Sequence, residues 1–364
     1  ESLLRVERLL HRLPEAGMAA ADVEALADLV DDSGHEPDVV LDLTERPEPG
    51  SWRVTYDGVP GESGAVAALG AGRFPLVEVR DGAGDVRAVG RPGSEQPGLL
   101  ATTMPDVAAG VLTLVLAALR DRVLAAPLEE TTPPAGAARS AWALMARRGV
   151  GAVLRLGYRT LYRAPHWRVG WRPVAGDPSI GATTLPSGWH DLPDDGLRFY
   201  ADPFLFEHGG RTYLFVEDFE HRLGKGVISV VEKGPDGFVG TPRPVLRHEV
   251  HLSYPFVLEH DGEIWMIPET SQAGTVELYR ATRFPDEWTR ESILIDGAEV
   301  SDATPFRHGG RWWMTATVGH GGSLSDSLHL WSAPDLRGPW RPHQANPVLV
   351  DIASARPAGH VVEH

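Results

Sequence analysis

Asp202-Pro203-Phe204-Leu205-Phe206-Glu207-His208-Gly209-Gly210-Arg211-Thr212-Tyr213-Leu214-Phe215-Val216-Glu217 is followed by two near-copies of itself. Tyr254-Pro255-Phe256-Val257-Leu258-Glu259-His260-Asp261-Gly262-Glu263-Ile264-Trp265-Met266-Ile267-Pro268-Glu269 is one. Asp302-Ala303-Thr304-Pro305-Phe306-Arg307-His308-Gly309-Gly310-Arg311-Trp312-Trp313-Met314-Thr315 is the other. The period is roughly 50 residues, the spacing of propeller blades. Each copy has one physical logic. A proline opens a strand where a missing N–H is tolerated, a Gly-containing turn closes a hairpin, and an aromatic, apolar strand returns. Further strands are expected at Gly226 to Glu232, Thr275 to Ala281 and Ser327 to Ser332. A fourth, incomplete copy starts at Pro347-Val348-Leu349-Val350 and continues to Ser354-Ala355-Arg356-Pro357-Ala358-Gly359. The expected fold is mainly β, with a β-propeller over residues 166–364.

Upstream of Trp167 the pattern changes. Leu3, Leu4, Val6, Leu9, Leu10 and Leu13 recur at helical spacing, and two helices are expected over residues 2–31. Val39 to Leu43, Ser51 to Tyr56 and Pro75 to Val86, around a turn at Asp81-Gly82, read as strands. Met104 to Leu124 reads as an apolar helix and Gly64 to Gly72 as a loop. Residues 1–127 thus form a small α/β domain. Residues 128–165 hold a Pro-rich linker and then a basic amphipathic helix over 138–163, with Arg139, Arg147, Arg148, Arg155, Arg159 and Arg163. Such a helix suits peripheral contact with an anionic membrane surface or glycolipid. It equally suits docking onto the acidic repeat region of its own chain.

The 364 residues carry 34 Lys and Arg against 50 Asp and Glu, a net charge of -16. No basic footprint for nucleic acid dominates, and no nucleic-acid partner is expected. Without cysteine there are no disulfides, thiolate nucleophiles or Cys-ligated zinc. That fits a reducing compartment, so the expected location is cytoplasmic. The longest apolar stretch, Ala108 to Leu119, is shorter than the roughly 18 residues of a membrane span. The chain opens on Glu1 rather than Met and reads as a fragment. There is no Walker loop, dinucleotide fingerprint or His-Glu-x-x-His pattern, so neither cofactor nor metal is expected. His208, His260 and His308 fall at equivalent hairpin turns and read as structural. His251 and His320 do not, yet they lack ligand spacing.

Tyr200-Ala201-Asp202-Pro203-Phe204, Ser253-Tyr254-Pro255-Phe256, Ile267-Pro268-Glu269-Thr270, Ser301-Asp302-Ala303-Thr304-Pro305-Phe306 and Ala355-Arg356-Pro357-Ala358-Gly359 carry a family resemblance. The stretch from Phe199 to Gly359 resembles the N-terminal domain of glucosamine inositolphosphorylceramide transferases and their bacterial relatives. That domain is similar in turn to the five-bladed propellers of furanosidases, β-xylosidases, arabinanases and levansucrases. The resemblance implies five blades. It also implies a formyltransferase-like remnant over residues 1–125, where no Asn-x-His-Pro pattern supports formyl transfer. In the furanosidase-type propellers an Asp on the first inner strand acts as base or nucleophile, and Asp202 matches it. A second Asp orients the acid, and Asp302 resembles it, although two residues separate it from Pro305. Where those enzymes place the general-acid Glu, this sequence has Arg356-Pro357. Simple hydrolysis is therefore less expected than transfer. In the plant relatives the transferase proper is a separate C-terminal domain, expected to lie outside this sequence.

Glycosyl chemistry needs one carboxylate to serve the leaving oxygen and one for attack from the opposite face. Asp202, Glu269 and Asp302 are the catalytic candidates. Glu217, Asp218, Tyr254 and Arg356 are the substrate-binding candidates. Each has a plainer reading. Asp202 before Pro203 can cap a turn, and Glu217 and Asp218 can be rim charges. Arg356 can fork onto a phosphate-bearing sugar donor, or pair with Asp302 or Asp202. The expected substrate is a sugar or sugar nucleotide. The expected activity is glycosyl transfer or glycoside cleavage. The alternative is a non-catalytic propeller that binds a glycan, glycolipid or partner protein.

Overall fold

A computed structural model describes residues 38–96, 100–127, 157, 161, 165–173 and 187–361. The helices expected over residues 2–31 and the linker over 128–137 lie outside the described residues, as does all but isolated positions of the basic helix. The elements run β1 (Leu41–Asp42), β2 (Trp52–Tyr56), β3 (Val59–Pro60), α1 (Glu62–Gly70), β4 (Val77–Arg80), β5 (Val86–Gly90) and α2 (Leu100–Leu119). There follow β6 (Gly170–Trp171), β7 (His190–Asp191), β8 (Arg198–His208), β9 (Arg211–Glu220), β10 (Lys225–Glu232) and β11 (Arg243–Leu246). Then come β12 (Ser253–His260), β13 (Glu263–Thr270), β14 (Thr275–Arg283) and β15 (Glu287–Asp296). The last are β16 (Val300–His308), β17 (Arg311–Val318), β18 (Ser327–Ala333), β19 (Arg341–Pro342) and β20 (Leu349–Val350).

The fold is mainly β. Each repeat forms its own antiparallel sheet, in the orders β11-β10-β9-β8, β12-β13-β14-β15 and β16-β17-β18-β19, with β20 also pairing β18. The chain divides into two compact units that interleave along the sequence. One holds the described residues within Glu1–Leu154 together with Glu299–Pro334 and Trp340–Ala358. The other holds those within Arg155–Ala298, with Asp335–Pro339 and those within Gly359–His364. The third repeat thus shares a unit with the N-terminal segment, which differs from a division at residues 127 and 166. Arg91 makes the join: its N–H donates to Val350 O at 2.8 Å, its carbonyl accepts from Ile352 N at 2.9 Å, and its guanidinium pairs with the fully buried Asp351.

In this first unit, Val54, Val77, Val79 and Ala88 of the N-terminal sheet pack against Val107, Val111, Leu114, Val115 and Ala118 of α2, with Val350 from β20. Helix α2 begins four residues before the expected Met104 and stops five short of Leu124. Asp121, at φ 54°, ends it, and the Arg122 N–H reaches back to Ala117 O at 2.9 Å, a Schellman-type stop. By length and composition α2 is long and apolar enough to cross a membrane, unlike the shorter Ala108–Leu119 stretch; half of it is buried in this core. The Gly64–Gly72 stretch, read above as a loop, is mostly helix α1. A Cβ at Gly64 would sit 2.8 Å from Tyr56 O, so its small residues serve close approach to the sheet rather than looseness.

The hairpins follow the expected turn chemistry. Gly209-Gly210, Asp261-Gly262 and Gly309-Gly310 all have positive φ at both positions, as two-residue type I′ loops require. Phe215 and Val216 on β9 and Met266 and Ile267 on β13 are essentially inaccessible on both faces, while on β17 Met314 and Ala316 bury one face and Trp313 and Thr315 on the other are partly exposed. A feature that the sequence did not show recurs in the first strand of each of the three repeat sheets. The pairing register shifts between Ala201 and Phe204, between Ser253 and Phe256, and between Ser301 and Thr304. At each shift one non-glycine residue takes left-handed backbone: Asp202 at φ 46°, Tyr254 at 43° and Asp302 at 56°. This bulge brings Asp302 into phase with Asp202. Pro305 lies beyond it, opposite Met314, so the apparent two-residue offset is not structural.

Candidate functional site

A non-glycine residue in left-handed backbone costs about 1–2 kcal/mol, and β-bulges are used to re-aim side chains. The same conformation at three equivalent positions means that the fold, not local sequence preference, imposes it. What each side chain meets then decides what it can do.

Asp202 lies in the second unit, partly buried, and its Oδ2 accepts the Tyr254 N–H at 3.2 Å. One bulged strand thus anchors on the next. Tyr254 is buried, packs edge-on against Phe204, and its hydroxyl accepts the Gly359 N–H at 2.7 Å. Glu217, opposite Ala201 on β9, is 7% exposed, and its Oε1 lies 3.4 Å from His251 Nε2. His251 Nδ1 accepts the Gly226 N–H at 2.8 Å, so in the neutral ring the proton sits on Nε2 and faces Glu217. Burial pushes the His251 pKa down, against the opposing pull of the Asp202 charge, which keeps the ring neutral at neutral pH. Gly226 is required: a Cβ there would lie 2.6 Å from Leu252 O and 2.8 Å from the His251 ring. Asp202, Glu217, Tyr254 and His251 therefore form one neighbourhood. The sequence alone assigns His251 no role. Its only sequence signal is that it falls outside the repeated turn positions.

Asp218 faces away from Glu217 by strand alternation. It is 1% exposed, held by Arg198 at 3.2 Å to each carboxylate oxygen and by the Ser229 hydroxyl at 2.8 Å. Glu269 is the counterpart of Glu217 on β13, opposite Ser253, and accepts the Ser271 hydroxyl at 2.8 Å. The third counterpart is Thr317, so the third sheet carries no acid at that place.

In the first unit, Asp302 is buried and receives the Arg356 guanidinium as a fork, Nε to Oδ2 at 2.5 Å and Nη2 to Oδ1 at 3.3 Å. Arg356 also approaches Ser325 Oγ at 3.4 Å. Of the two partners expected for it, Asp302 is one that the geometry supplies. Such a fork engages both of its oxygens.

The arrangement defines a mainly β protein of tandem antiparallel sheets, each opening on a strained, bulged strand whose bulge residue is Asp, Tyr or Asp. Residues 191–363 match the family described as "Glucosamine inositolphosphorylceramide transferase 1, N-terminal". The chain is 35% identical over 182 residues to the glucosamine inositolphosphorylceramide transferase 1 of Oryza sativa subsp. japonica, covering 48% of this chain and 23% of that protein. It is 35% identical over 154 residues to the protein of the same name from Arabidopsis thaliana, covering 42% and 20%. It thus spans less than a quarter of the curated relatives it matches. Among solved structures it is similar to a thermostable family-43 glycoside hydrolase, with TM-score 0.33, 14% identity, and 42% of this chain and 56% of that one covered. It is also similar to the Phanerochaete chrysosporium exo-β-1,3-galactanase with galactose, with TM-score 0.35, 13% identity, and 43% and 40% covered. Likeness at that level fixes neither the number of blades nor the site.

Proposed function

We propose that this chain is a carbohydrate-active protein whose working site is built on Asp202, with glycosyl transfer rather than hydrolysis as its reaction. Asp202 serves as base or nucleophile, Glu217 and Tyr254 line the site, and His251 orients Glu217. The observation that carries this reading is the Asp202 bulge. A carboxylate is held in strained backbone, one oxygen fixed on the next sheet's N–H, beside a neutral histidine. Strain of this kind persists where the surroundings over-determine it, and it concentrates at functional sites. A positioned carboxylate is what glycosyl chemistry requires. Transfer is preferred because Arg356 stands where a hydrolase-like propeller would place its acid, and because the named relatives are transferases. Glu269 is the next candidate acid.

One observation favours a second reading, a propeller that binds a glycan without acting on it. Asp302 is neutralised by Arg356, so one expected axial acid is already occupied. A thermal-shift screen of sugar nucleotides and simple glycosides tests the proposal. Ligand at about a hundred times its Kd adds roughly 2.7 kcal/mol of stability. At least one sugar nucleotide is expected to raise the melting temperature of the wild type, and less so that of Asp202→Asn. No shift with any sugar nucleotide or glycoside would contradict both readings.

A further inference from the structure

The turn that joins β12 to β13 reads His260-Asp261-Gly262, where the other two repeats have His208-Gly209-Gly210 and His308-Gly309-Gly310. An aspartate therefore takes a left-handed position, φ 54°, that glycine fills in both counterparts. The structure also separates His260 from the other two hairpin histidines. Its side chain is 11% exposed, and its Nε2 lies 3.3 Å from Asp261 Oδ2 and 3.5 Å from Asp335 Oδ2. Asp335 comes from the short segment after β18 that belongs to the second unit, so all three side chains lie within that unit. One ligand atom from each residue, an imidazole nitrogen and two carboxylate oxygens, fall within 4.8 Å of one another.

Asp335 is held from its far side. Its Oδ1 accepts the Arg337 N–H at 3.0 Å and Arg337 Nη1 at 3.4 Å, which turns Oδ2 toward His260. The Arg337 guanidinium rests over the Trp265 ring, 4.7 Å from its centroid, and the Trp265 indole N–H donates to His260 O at 3.1 Å. Arg337 thus aligns one carboxylate through the oxygen that does not face His260, as the outer partners of metal ligands do. The spacing within the cluster fits a shared cation. With bonds of roughly 2.0–2.2 Å, a tetrahedral zinc ion holds its ligand atoms about 3.3–3.5 Å apart. An N–H on Nε2 points along one ring axis and serves one oxygen well, whereas a cation on that axis serves both. One imidazole nitrogen with two carboxylate oxygens suits zinc or another first-row divalent ion; calcium and magnesium favour oxygen alone.

We propose that His260, Asp261 and Asp335 bind one divalent transition-metal ion, with zinc as the probe. Three protein ligands leave the fourth tetrahedral position to water. The ion fastens the Asp335–Pro339 segment to the turn between β12 and β13. The proposal does not rest on the reading of Asp202. Protein stripped with a chelator and exchanged into buffer is titrated calorimetrically with zinc chloride at about pH 7.5, where an ordinary imidazole is neutral and can ligate. The wild type is expected to bind one zinc ion tightly per chain and to melt at a higher temperature with zinc than without. Asp261→Gly gives the turn the His-Gly-Gly sequence of the other two repeats, so it keeps the fold while losing one ligand. Its metal-free melting temperature is expected to match the wild type or exceed it. Asp335→Asn keeps an oxygen for Arg337 but loses the anionic ligand. Each variant is expected to bind zinc at least about tenfold more weakly, since the outer partners of metal ligands alone are worth that much. The proposal is overturned if the wild type takes up no zinc at millimolar concentration. It is equally overturned if folded Asp261→Gly or folded Asp335→Asn binds zinc as tightly as the wild type, because the ion then sits on other histidines.

Discussion

Asp202, Tyr254 and Asp302 share one backbone conformation and differ in what their side chains meet. Asp202 contacts a backbone N–H and lies near His251, while Asp302 is locked to Arg356. The second pair gives a direct test at the scale of single residues. Asp302 is almost fully buried and Arg356 about half exposed. Removing the partner of a fully buried charge costs roughly 3–5 kcal/mol. Discounted for Arg356's exposure, Arg356→Met should cost about 1–3 kcal/mol. Adding Asp302→Asn removes the stranded charge and should restore most of the loss. Denaturant titration of the two single variants and the double variant measures it. Equal stability of Arg356→Met and the wild type would show that the pair holds nothing together. Of these residue-level facts, the positions were legible: the repeat put Asp202, Tyr254 and Asp302 in one column. Their partners were not. Arg356 lies 54 residues from Asp302, and neither periodicity nor turn chemistry reports such a contact. The bulge was equally hidden, because Pro305 falls two residues later than Pro203 would suggest.

At the scale of elements, α2 and the strand that follows Asp326 carry the clearest titration. Asp326 is buried immediately before β18, and burial pushes its pKa up to about 7, with Glu95 and Asp106 adding to the rise. Its Oδ2 accepts the Gly93 N–H at 3.0 Å, which works the other way. A carboxyl raised in this way keeps a proton that the unfolded chain has released. Between about pH 4 and 7 the native state therefore binds more protons, and stability falls as pH rises, by up to about 1.4 kcal/mol per pH unit. His329, buried against His320, has its pKa pushed down to about 3, and its contribution has the opposite sign. Its stabilisation is lost as pH falls from about 6.5 toward 3. Asp326→Asn should remove the first slope and leave the second. The variant is expected to be more stable than the wild type at pH 8 and to lose stability steadily below pH 6.5. Parallel curves for the two proteins would contradict this. Hairpins and strands were readable because alternation and Gly-containing turns are local signals. The ends of α2 were not: Pro105 sits inside the helix, and Asp121, not a glycine, supplies the left-handed stop.

For the whole molecule, tandem sheets of one pattern were readable from a repeat, but the grouping of those sheets into units was not. Arg91 and Asp351 are 260 residues apart, and the β5–β20 neighbourhood they secure has no signature in either segment alone. The acids of the candidate site were legible as types in a pattern. The histidine that completes their surroundings was visible only once Gly226 and Glu217 were placed around it. The central claim is that the Asp202 carboxylate performs chemistry instead of merely closing a bulge. Asp202→Asn tests it, because the amide oxygen can still accept the Tyr254 N–H while the charge and the proton acceptor are gone. With the sugar donor identified by thermal shift, turnover and melting temperature are measured on the same variant. The account predicts turnover at least about a hundredfold lower, the smaller end of what positioned acid–base groups contribute, with little change in melting temperature. Full turnover in a folded Asp202→Asn protein would contradict it.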